Sequence, residues 1–235
     1  QHPRLPLLAG ADVVIWGRKA DKNAAALEQL KAYGTRIEAL SVDVSDEAAV
    51  VDAMAESLSR MGRIDTCIAN AGVGGSAPLT EQTTEQWRKV TTVNLDAVFW
   101  TFREAGKHMV ARAEAGDKGG SLLVTSSVSA IHGAPQNQAY AATKAGVLAM
   151  IRGTAVELAR HGIRANAVLP GWIATEMTER LQGWDAFNEK AIGRVPMRRW
   201  GEGEDFAGIA VYFASDASKF HTGDSVVIDG GYSIF

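Results

Sequence analysis

Short apolar runs alternate with longer amphipathic segments from one end of the chain to the other. This alternation is typical of a parallel β-sheet whose strands are connected by helices. No linker, internal repeat or low-complexity stretch interrupts the pattern, so we expect a single α/β domain spanning residues 1–235. The predicted strands are residues 12–16, 36–42, 64–69, 121–126, 163–169 and 225–228.

Helices are predicted between these strands, and several of them carry a recognisable start or stop signal. Gly34 and Gly62 follow the first two helices, as glycine commonly does at a helix C-terminus. Thr83 and Gln86 form the capping-box pattern that starts another helix. The remaining predicted helical segments are residues 20–33, 46–61, 95–114, 139–161, 173–192 and 203–214.

Glycine and polar residues collect where the predicted strands end. In an open parallel sheet, ligands bind beyond the carboxyl ends of the strands. Four strand ends that carry such residues therefore predict one binding site along this edge. The positions are Asp43, Asn70 to Gly72, Ser126 with Ser127, and Pro170 to Thr175.

The composition limits the kinds of partner. The chain has 235 residues, 46% apolar and 22% charged, and its formal charge of −3 gives no electrostatic reason to bind nucleic acid or an anionic membrane. No apolar run approaches the roughly 20 residues of a membrane-spanning helix, and residues 1–8 lack a signal-peptide core. A single cysteine excludes an internal disulfide, and five scattered histidines do not have zinc-site spacing. We therefore expect a cytoplasmic protein without a metal, with Cys67 as a buried structural residue.

Tyr140 and Lys144 are the first candidates for chemistry, four residues apart on a predicted helix. At that spacing the side chains share a helix face, with Cβ atoms about 5–6 Å apart. A nearby ammonium group lowers the pKa of a phenol from about 10, so the tyrosine could exchange a proton with a substrate. Ser127, at the preceding strand end, could hold the same substrate oxygen. Taken alone, such a pair is more often a surface tyrosine beside a solvated lysine.

These residues belong to an ordered series of motifs. Ser127 followed by Tyr140-Ala-Ala-Thr-Lys144 resembles the active-site segment of the classical short-chain dehydrogenases/reductases, and the resemblance covers about 225 residues from Ala9 onward. It implies a Rossmann-like, doubly wound parallel sheet and NAD(P)(H)-dependent interconversion of a ketone and a secondary alcohol. The other motifs are Asn70-Ala71-Gly72, Val93-Asn94-Leu95, Asn166 to Thr175, and Asp229-Gly-Gly-Tyr232.

The resemblance implies four catalytic roles. Tyr140 donates a proton to the ketone oxygen in reduction and removes one from the alcohol in oxidation. Lys144 bonds the nicotinamide ribose and lowers the pKa of Tyr140, while Ser127 orients and polarises the carbonyl. Asn94, at a bend in its helix, holds a water that links Lys144 to bulk solvent. Each residue standing alone has a structural interpretation, and the ordered series favours the functional one.

The resemblance also implies residues on both sides of the cofactor. Asn70, Ala71 and Gly72 support the sheet and the adenosine side, and Asp43 and Val44 flank the adenine. On the other side, the Pro170-Gly171 turn leads to the Ile173 main chain and Thr175, which fix the nicotinamide carboxamide.

The choice of cofactor depends on the residues after the first predicted strand. Members of the family that prefer NAD(H) place there an aspartate, which bonds the ribose hydroxyls. This chain has Gly17 followed by Arg18 and Lys19. A guanidinium can bind a 2′-phosphate that a carboxylate would repel. We therefore expect NADP(H) as the favoured cofactor and NAD(H) as the second candidate, although Arg18 and Lys19 could simply be solvated.

The family's first strand and Gly-rich phosphate-binding turn are not recognisable in this chain. Eleven residues precede Asp12, and none forms Gly-x-x-x-Gly-x-Gly; Leu5 to Gly10 could be the tail of the first helix, but Pro3 and Pro6 do not favour one. In the family that strand lies at the sheet centre, so its absence leaves two edges unpaired. An incomplete chain, a truncated gene product or a partner chain in the gap would each account for this, and we expect the first.

The family closes a lid over its substrate in the segment after Thr175, about residues 173–200 here. Apolar residues at helical spacing are more often core than pocket, although one side of a lid faces the site. The residues concerned are Trp172, Met177, Leu181, Trp184, Phe187 and Met197. His132 and Gln138 could bond a hydroxylated substrate such as a sugar, polyol or small ketone, but a solvated loop position explains His132 equally well. A 3-oxoacyl or steroid substrate stays open.

Two other functions are compatible with a fold of this class, and the helices also suggest an assembly state. A binding protein that keeps the fold but has lost cofactor chemistry is motivated by the missing turn. An extended-family epimerase or dehydratase is disfavoured, because about 60 residues follow Pro170-Gly171, too few for a substrate domain. The helices at 95–114 and 139–161 resemble those at the family's tetramer interfaces, so we expect a homotetramer that acts on a small carbonyl or alcohol compound.

Overall fold

A computed structural model describes residues 10–235, in which strands and helices alternate as the hydrophobic pattern predicts. The strands are β1 Val13–Gly17, β2 Ile37–Ser41, β3 Thr66–Ala69, β4 Gly120–Thr125, β5 Ile163–Pro170 and β6 Ser225–Ile228. The α-helices are α1 Ala20–Leu30, α2 Glu47–Met61, α3 Thr84–Thr91, α4 Ala97–Glu114, α5 Gln138–Leu158, α6 Glu179–Gln182, α7 Asp185–Ala191 and α8 Ala207–Ala214.

The strands form two parallel sheets. β1 pairs with β2, whereas β3, β4, β5 and β6 form a second sheet in that order. Parallel neighbours need crossover connections, which the helices between the strands provide. The predicted α/β class with a parallel sheet is confirmed, and the carboxyl ends of β3, β4 and β5 lie at one edge.

A cavity of about 970 Å³ lies between the two sheets. Its lining runs from Gly10 and Asp65, before β1 and β3, to Asn70 and Thr125 at the carboxyl edge. Within residues 10–235, β1 pairs only with β2 and β3 only with β4, so each leaves one edge unpaired. This is where the family's first strand is expected. The predicted helix tail at residues 5–10 lies outside the described residues except for Gly10, which is in a turn.

The main core lies where α4 and α5 pack on the larger sheet. Met109 of α4 and Ile151 of α5 are fully buried in one cluster with Leu122 and Val124 of β4. On the opposite face, Phe213 of α8 packs in a second cluster with residues of β4 and β5. Burial of each large apolar side chain contributes about 1.5–3 kcal/mol. Helices on both faces therefore hold rigid the two strands whose ends carry the candidate site.

Several local signals are confirmed. Thr83 Oγ1 accepts from the Gln86 main-chain N–H at 3.2 Å, and Gln86 Oε1 accepts from the Thr83 N–H at 2.9 Å, which completes the capping box. α1 ends at Leu30 and continues as the 3₁₀ turn Lys31–Tyr33, after which Gly34 adopts φ 74°, a conformation that favours glycine. The predicted helix over residues 139–161 is α only to Leu158 and ends in a 3₁₀ turn.

The prediction of a helical lid requires correction. Residues 173–192 form short 3₁₀ turns and the two short helices α6 and α7 instead of one helix. Met177, Trp184 and Met197 are 55%, 57% and 67% exposed, so the core interpretation is wrong for them. The lid segment begins at the carboxyl end of β5, and its exposed side carries Met177, Trp184 and Met197. No helix within residues 10–235 has the length and apolar character needed to span a bilayer.

Candidate active site

Asn94 lies in a five-residue π-helical turn, Thr92–Asp96, between α3 and α4. Its side chain is fully buried: Oδ1 accepts from the Val73 N–H at 2.8 Å, and Nδ2 donates to the Val73 carbonyl at 2.9 Å. The Ala97 N–H bonds the Thr92 carbonyl five residues back, which widens the helix. Such single π turns often occur at functional sites. The resemblance implies the bend at Asn94, but not the attachment of Asn94 to the loop after β3.

Lys144 reaches the same place from α5. It is 3% exposed, and its Nζ donates to the main-chain carbonyl of Thr125 at 2.7 Å. A Cβ placed on Gly72 would lie 3.5 Å from Asn94 Oδ1 and 3.6 Å from Lys144 Nζ. Gly72, Asn94 and Lys144, which come from three separate motifs, therefore border one small volume at the sheet edge.

Ser127 and Tyr140 lie beside this volume. Ser127 is nearly buried, its Oγ accepts from the Ser129 N–H at 3.1 Å, and its side chain bonds Tyr140. Ser126 Oγ donates to the Lys144 carbonyl at 2.7 Å and so ties the end of β4 to α5. This tie holds the serine loop and the tyrosine helix in a fixed relation.

The expected effect of Lys144 on Tyr140 is not found. Burial raises the pKa of Tyr140, and the hydrogen bond with Ser127 offsets this only in part. Burial also lowers the pKa of Lys144 from 10.5 to about 8. Lys144 Nζ lies 5.6 Å from the centre of the Tyr140 ring and donates to the Thr125 main-chain carbonyl, and it is not among the groups that shift the pKa of Tyr140. Desolvation is the largest influence on both pKa values, and it cannot be predicted from the spacing of residues along a helix.

The turn after β5 is shaped by a close approach to the C-terminal segment. Pro170 pairs with Ile228 of β6, and a Cβ on Gly171 would lie 2.5 Å from Asp229 Cβ, so only glycine fits. Ile173 forms a bridge with Gly201, whose two hydrogen bonds join the residues on either side of Ile173. The main-chain N–H of Ile173 is not used by this bridge.

Thr175 belongs to a network that sequence reasoning missed. Its N–H donates to Thr178 Oγ1 at 3.0 Å, and that hydroxyl donates to the Ile173 carbonyl at 2.7 Å. Gln182 Nε2 donates to the Thr175 carbonyl at 3.0 Å. Neither Thr178 nor Gln182 belongs to a motif. The spacing Thr175-x-x-Thr178, which resembles a helix cap, is the one sequence signal for Thr178. The network fixes the direction of the chain where the predicted lid begins.

The candidate adenosine residues follow the strands of the smaller sheet. Hydrogen bonds from the Ser45 hydroxyl and N–H lower the pKa of Asp43, and the charge of Arg18 adds to this. Arg18 and Asp43 are therefore neighbours that follow the strands of the smaller sheet, whereas Ser127 follows a strand of the larger sheet. An ion pair between Lys22 of α1 and Glu176, which follows Thr175, connects the two regions.

The remaining cofactor candidates lie between these regions. Val44, Asn70 and Ala71 line the cavity between the sheets. The exposed Arg18 guanidinium follows β1 and suits a phosphate, and the Ile173 N–H follows β5 and suits a carboxamide, so the two groups are of the kinds that a dinucleotide needs. Burial raises the pKa of Cys67 to about 12, which makes its thiol unreactive. Within residues 10–235, no cluster of His, Cys, Asp and Glu is arranged to hold a metal ion.

A parallel α/β fold with serine, tyrosine and lysine converging at its carboxyl edge defines a nicotinamide-dependent oxidoreductase. The family model described as enoyl-(acyl carrier protein) reductase matches residues 7–233. Gluconate 5-dehydrogenase of Gluconobacter oxydans (strain 621H) is 36% identical over 225 residues, 96% of this chain and 86% of the relative. The 3-oxoacyl-(acyl-carrier-protein) reductase of Chlamydia pneumoniae is 32% identical, covering 97% of this chain and 89% of the relative.

A solved structure gives the same result. Gluconate 5-dehydrogenase from Burkholderia cenocepacia J2315, in complex with NADP and tartrate, has a TM-score of 0.89 at 33% identity and covers 97% of this chain and 90% of its own. The chain belongs to the short-chain dehydrogenase/reductase family and is an oxidoreductase that acts on CH–OH groups.

Proposed function

We propose that this protein is an NADP(H)-dependent oxidoreductase that interconverts a ketone and a secondary alcohol on a small hydroxylated substrate. The convergence of Ser127, Tyr140 and Lys144 beside the π turn at Asn94 carries the proposal. These groups come from β4, α5 and the α3–α4 junction, so only the folded chain brings them together.

Tyr140 acts as the proton donor in reduction and as the acceptor in oxidation. A phenol is protonated at neutral pH, as a proton donor in reduction must be, and burial raises the pKa of Tyr140 further. Ser127, which already bonds Tyr140, places the substrate oxygen against that hydroxyl. When bound, NADP(H) would supply the hydride in reduction, and its oxidised form would accept the hydride in oxidation. Ile173 and Thr175 would hold the carboxamide side of the cofactor, and Arg18, Asp43 and the Asn70–Gly72 segment would serve the adenosine side.

Lys144 serves the resupply of protons to the site, as the group that a water links to bulk solvent. A pKa of about 8 lies close to neutral pH, so the ammonium group gives up its proton readily. The π turn beside it opens the helix where a water could join Lys144 to solvent. Asn94 positions this turn against the loop after β3, through its two bonds to Val73.

Arg18 favours NADP(H) over NAD(H). It is exposed at the end of β1, and Asp43, the acid whose pKa it lowers, already accepts two hydrogen bonds from Ser45. A guanidinium in this position can bind a 2′-phosphate with a pair of parallel hydrogen bonds. The gluconate 5-dehydrogenase of Burkholderia cenocepacia, which is similar over most of its length, was solved with NADP.

Unpaired polar atoms near the site support a substrate with several hydroxyl groups. Gln138 Oε1, two residues from Tyr140, and Trp172 Nε1 are buried and find no hydrogen-bond partner within residues 10–235. Buried polar atoms are usually bonded, so each of these two atoms is a candidate partner for a hydroxyl group of a sugar or polyol. Relatives named for gluconate and 5-keto-D-gluconate are consistent with this class.

Assembly and location extend the proposal. Phe99 of α4 is 49% exposed and Val156 of α5 is 82% exposed, which suits two helices that pack against other subunits. We take the protein to be a cytoplasmic homotetramer, with the lid covering about residues 173–200.

Replacement of Tyr140 by phenylalanine tests the mechanism. Loss of the proton donor should lower kcat for NADPH-dependent reduction of sugar ketones by about a thousandfold. NADPH affinity, measured by fluorescence titration, should stay within twofold to threefold, about the scatter of a neutral change. Tyr33→Phe, outside the site, serves as the matched control.

Two outcomes would contradict the proposal. Undiminished turnover in Tyr140→Phe would reject Tyr140 as the proton donor. Absence of measurable NADPH and NADH binding by the wild-type chain would instead favour the alternative of a binding protein that keeps the fold without the cofactor chemistry.

A further inference from the structure

Arg194 differs from the other arginines at the end of the predicted lid. Arg199 makes a two-bond ion pair with Asp205, and Arg198 donates to a main-chain carbonyl. Arg194 is exposed, and in the part of the chain that the structure describes no acidic side chain pairs with it. Its guanidinium lies over the ring of Tyr232, with Cζ 5.2 Å from the ring centre.

Tyr232 joins Arg194 to the catalytic region. The Tyr232 ring makes edge contacts with Trp172 and with His132, each with ring centres 6.2 Å apart. Trp172 lies in the turn that leads to Ile173, and His132 lies five residues after Ser127 on the loop that leaves β4. Arg194 therefore stands on a ring that borders both the nicotinamide-side turn and the loop of the catalytic serine.

The surroundings favour an anion. Asp229 is the acidic residue of the C-terminal segment that carries Tyr232. Its two carboxylate oxygens already accept from the N–H groups of Gly231 at 2.9 Å and Ser233 at 2.7 Å, so they are engaged within that segment. His132 Nε2 is 3.0 Å from Ser233 Oγ, which fixes the imidazole next to the ring. An arginine on an aromatic face keeps its planar fork free for a carboxylate.

We propose that Arg194 selects the substrate by binding a carboxylate, so that the enzyme acts on a keto or hydroxy acid of the sugar type. This rests on the proposed function: the ketone lies at Ser127 and Tyr140, and the carboxylate lies at the Tyr232 side of the site. Arg194 is a specificity residue: it contacts the carboxylate end of the substrate and does not contact the reacting carbon.

The test compares two ketones that differ only at one end. In 5-keto-D-gluconate the chain ends in a carboxylate, and in L-sorbose a hydroxymethyl group takes its place. NADPH-dependent reduction of both is measured with wild type, Arg194→Gln, Arg194→Lys and the lid control Arg180→Gln. Loss of a charge-assisted hydrogen bond should lower kcat/KM of Arg194→Gln for 5-keto-D-gluconate by about tenfold to hundredfold, mainly through KM.

The remaining results separate the two levels of the proposal. L-sorbose reduction should change less than about twofold in Arg194→Gln, Arg194→Lys should recover part of the loss, and Arg180→Gln should match wild type. An equal loss on both ketones, or a wild-type preference for L-sorbose, would overturn the carboxylate site while leaving the oxidoreductase proposal intact. Failure of wild type to reduce any ketone in a panel would overturn both.

Discussion

Lys144 shows that a site residue can reduce the stability of the fold. Its pKa falls from 10.5 to about 8 because it is buried, which corresponds to roughly 3 kcal/mol against the charged form. Lys144→Met removes this cost but also the bond to the Thr125 carbonyl, worth about 1.5–3 kcal/mol. We expect a net gain on the order of 1 kcal/mol in the free energy of unfolding at neutral pH, with loss of activity.

The pH dependence tests this account. The folded pKa lies below the unfolded one, so the unfolded state binds more protons between pH about 8 and 10.5, and wild-type stability rises across that window. The advantage of Lys144→Met in urea unfolding should shrink there. Lys107→Met, at a position 64% exposed, should show no such change. A difference that stays constant with pH would show that burial of the charge is not the cause.

At the residue scale, sequence reasoning predicts the candidate residues but not their electrostatics. Ser127, Tyr140 and Lys144 stand out as members of an ordered series of motifs, whereas spacing alone favours an ordinary surface pair for Tyr140 and Lys144. The direction of the pKa shift of Tyr140 depends on how deeply the fold buries it, a property that no local pattern carries. Asn94 is recognisable as a motif residue, whereas its bonds to Val73, 21 positions away, depend on the loop's path.

At the element scale, Asp205 holds the end of the lid to α8. Its oxygens accept two bonds from Arg199 at 2.7 Å and one from the Glu202 N–H at 2.8 Å, and these lower its pKa to about 2. Asp205→Asn should reduce the free energy of unfolding at neutral pH by about 1 kcal/mol. Because the folded pKa is depressed, the loss should fade as pH falls from about 4 toward about 2.

Thermal unfolding of the two proteins from neutral to acidic pH measures this effect. Asp185→Asn, in the first turn of α7 and without an ion pair in the described chain, is the matched control. Equal destabilisation at all pH values would show that the Arg199 pair does not contribute. The Arg199–Asp205 contact cannot be predicted from the periodicity of apolar residues. In the same way, helical spacing in the lid predicts an apolar side but not that Met177 and Trp184 face outward.

At the scale of the whole molecule, the proposed tetramer would use surfaces of α4 and α5 that packing within the described chain leaves open. Val156 is 82% exposed, so Val156→Glu should cost an isolated subunit little. An unpaired carboxylate in a subunit interface costs several kcal/mol, so the dissociation constant of the assembly should rise by at least about a hundredfold. Sedimentation velocity would then show smaller species for Val156→Glu but not for Val51→Glu on α2. A wild-type chain that sediments as a monomer, or an unchanged assembly in Val156→Glu, would contradict the proposed tetramer.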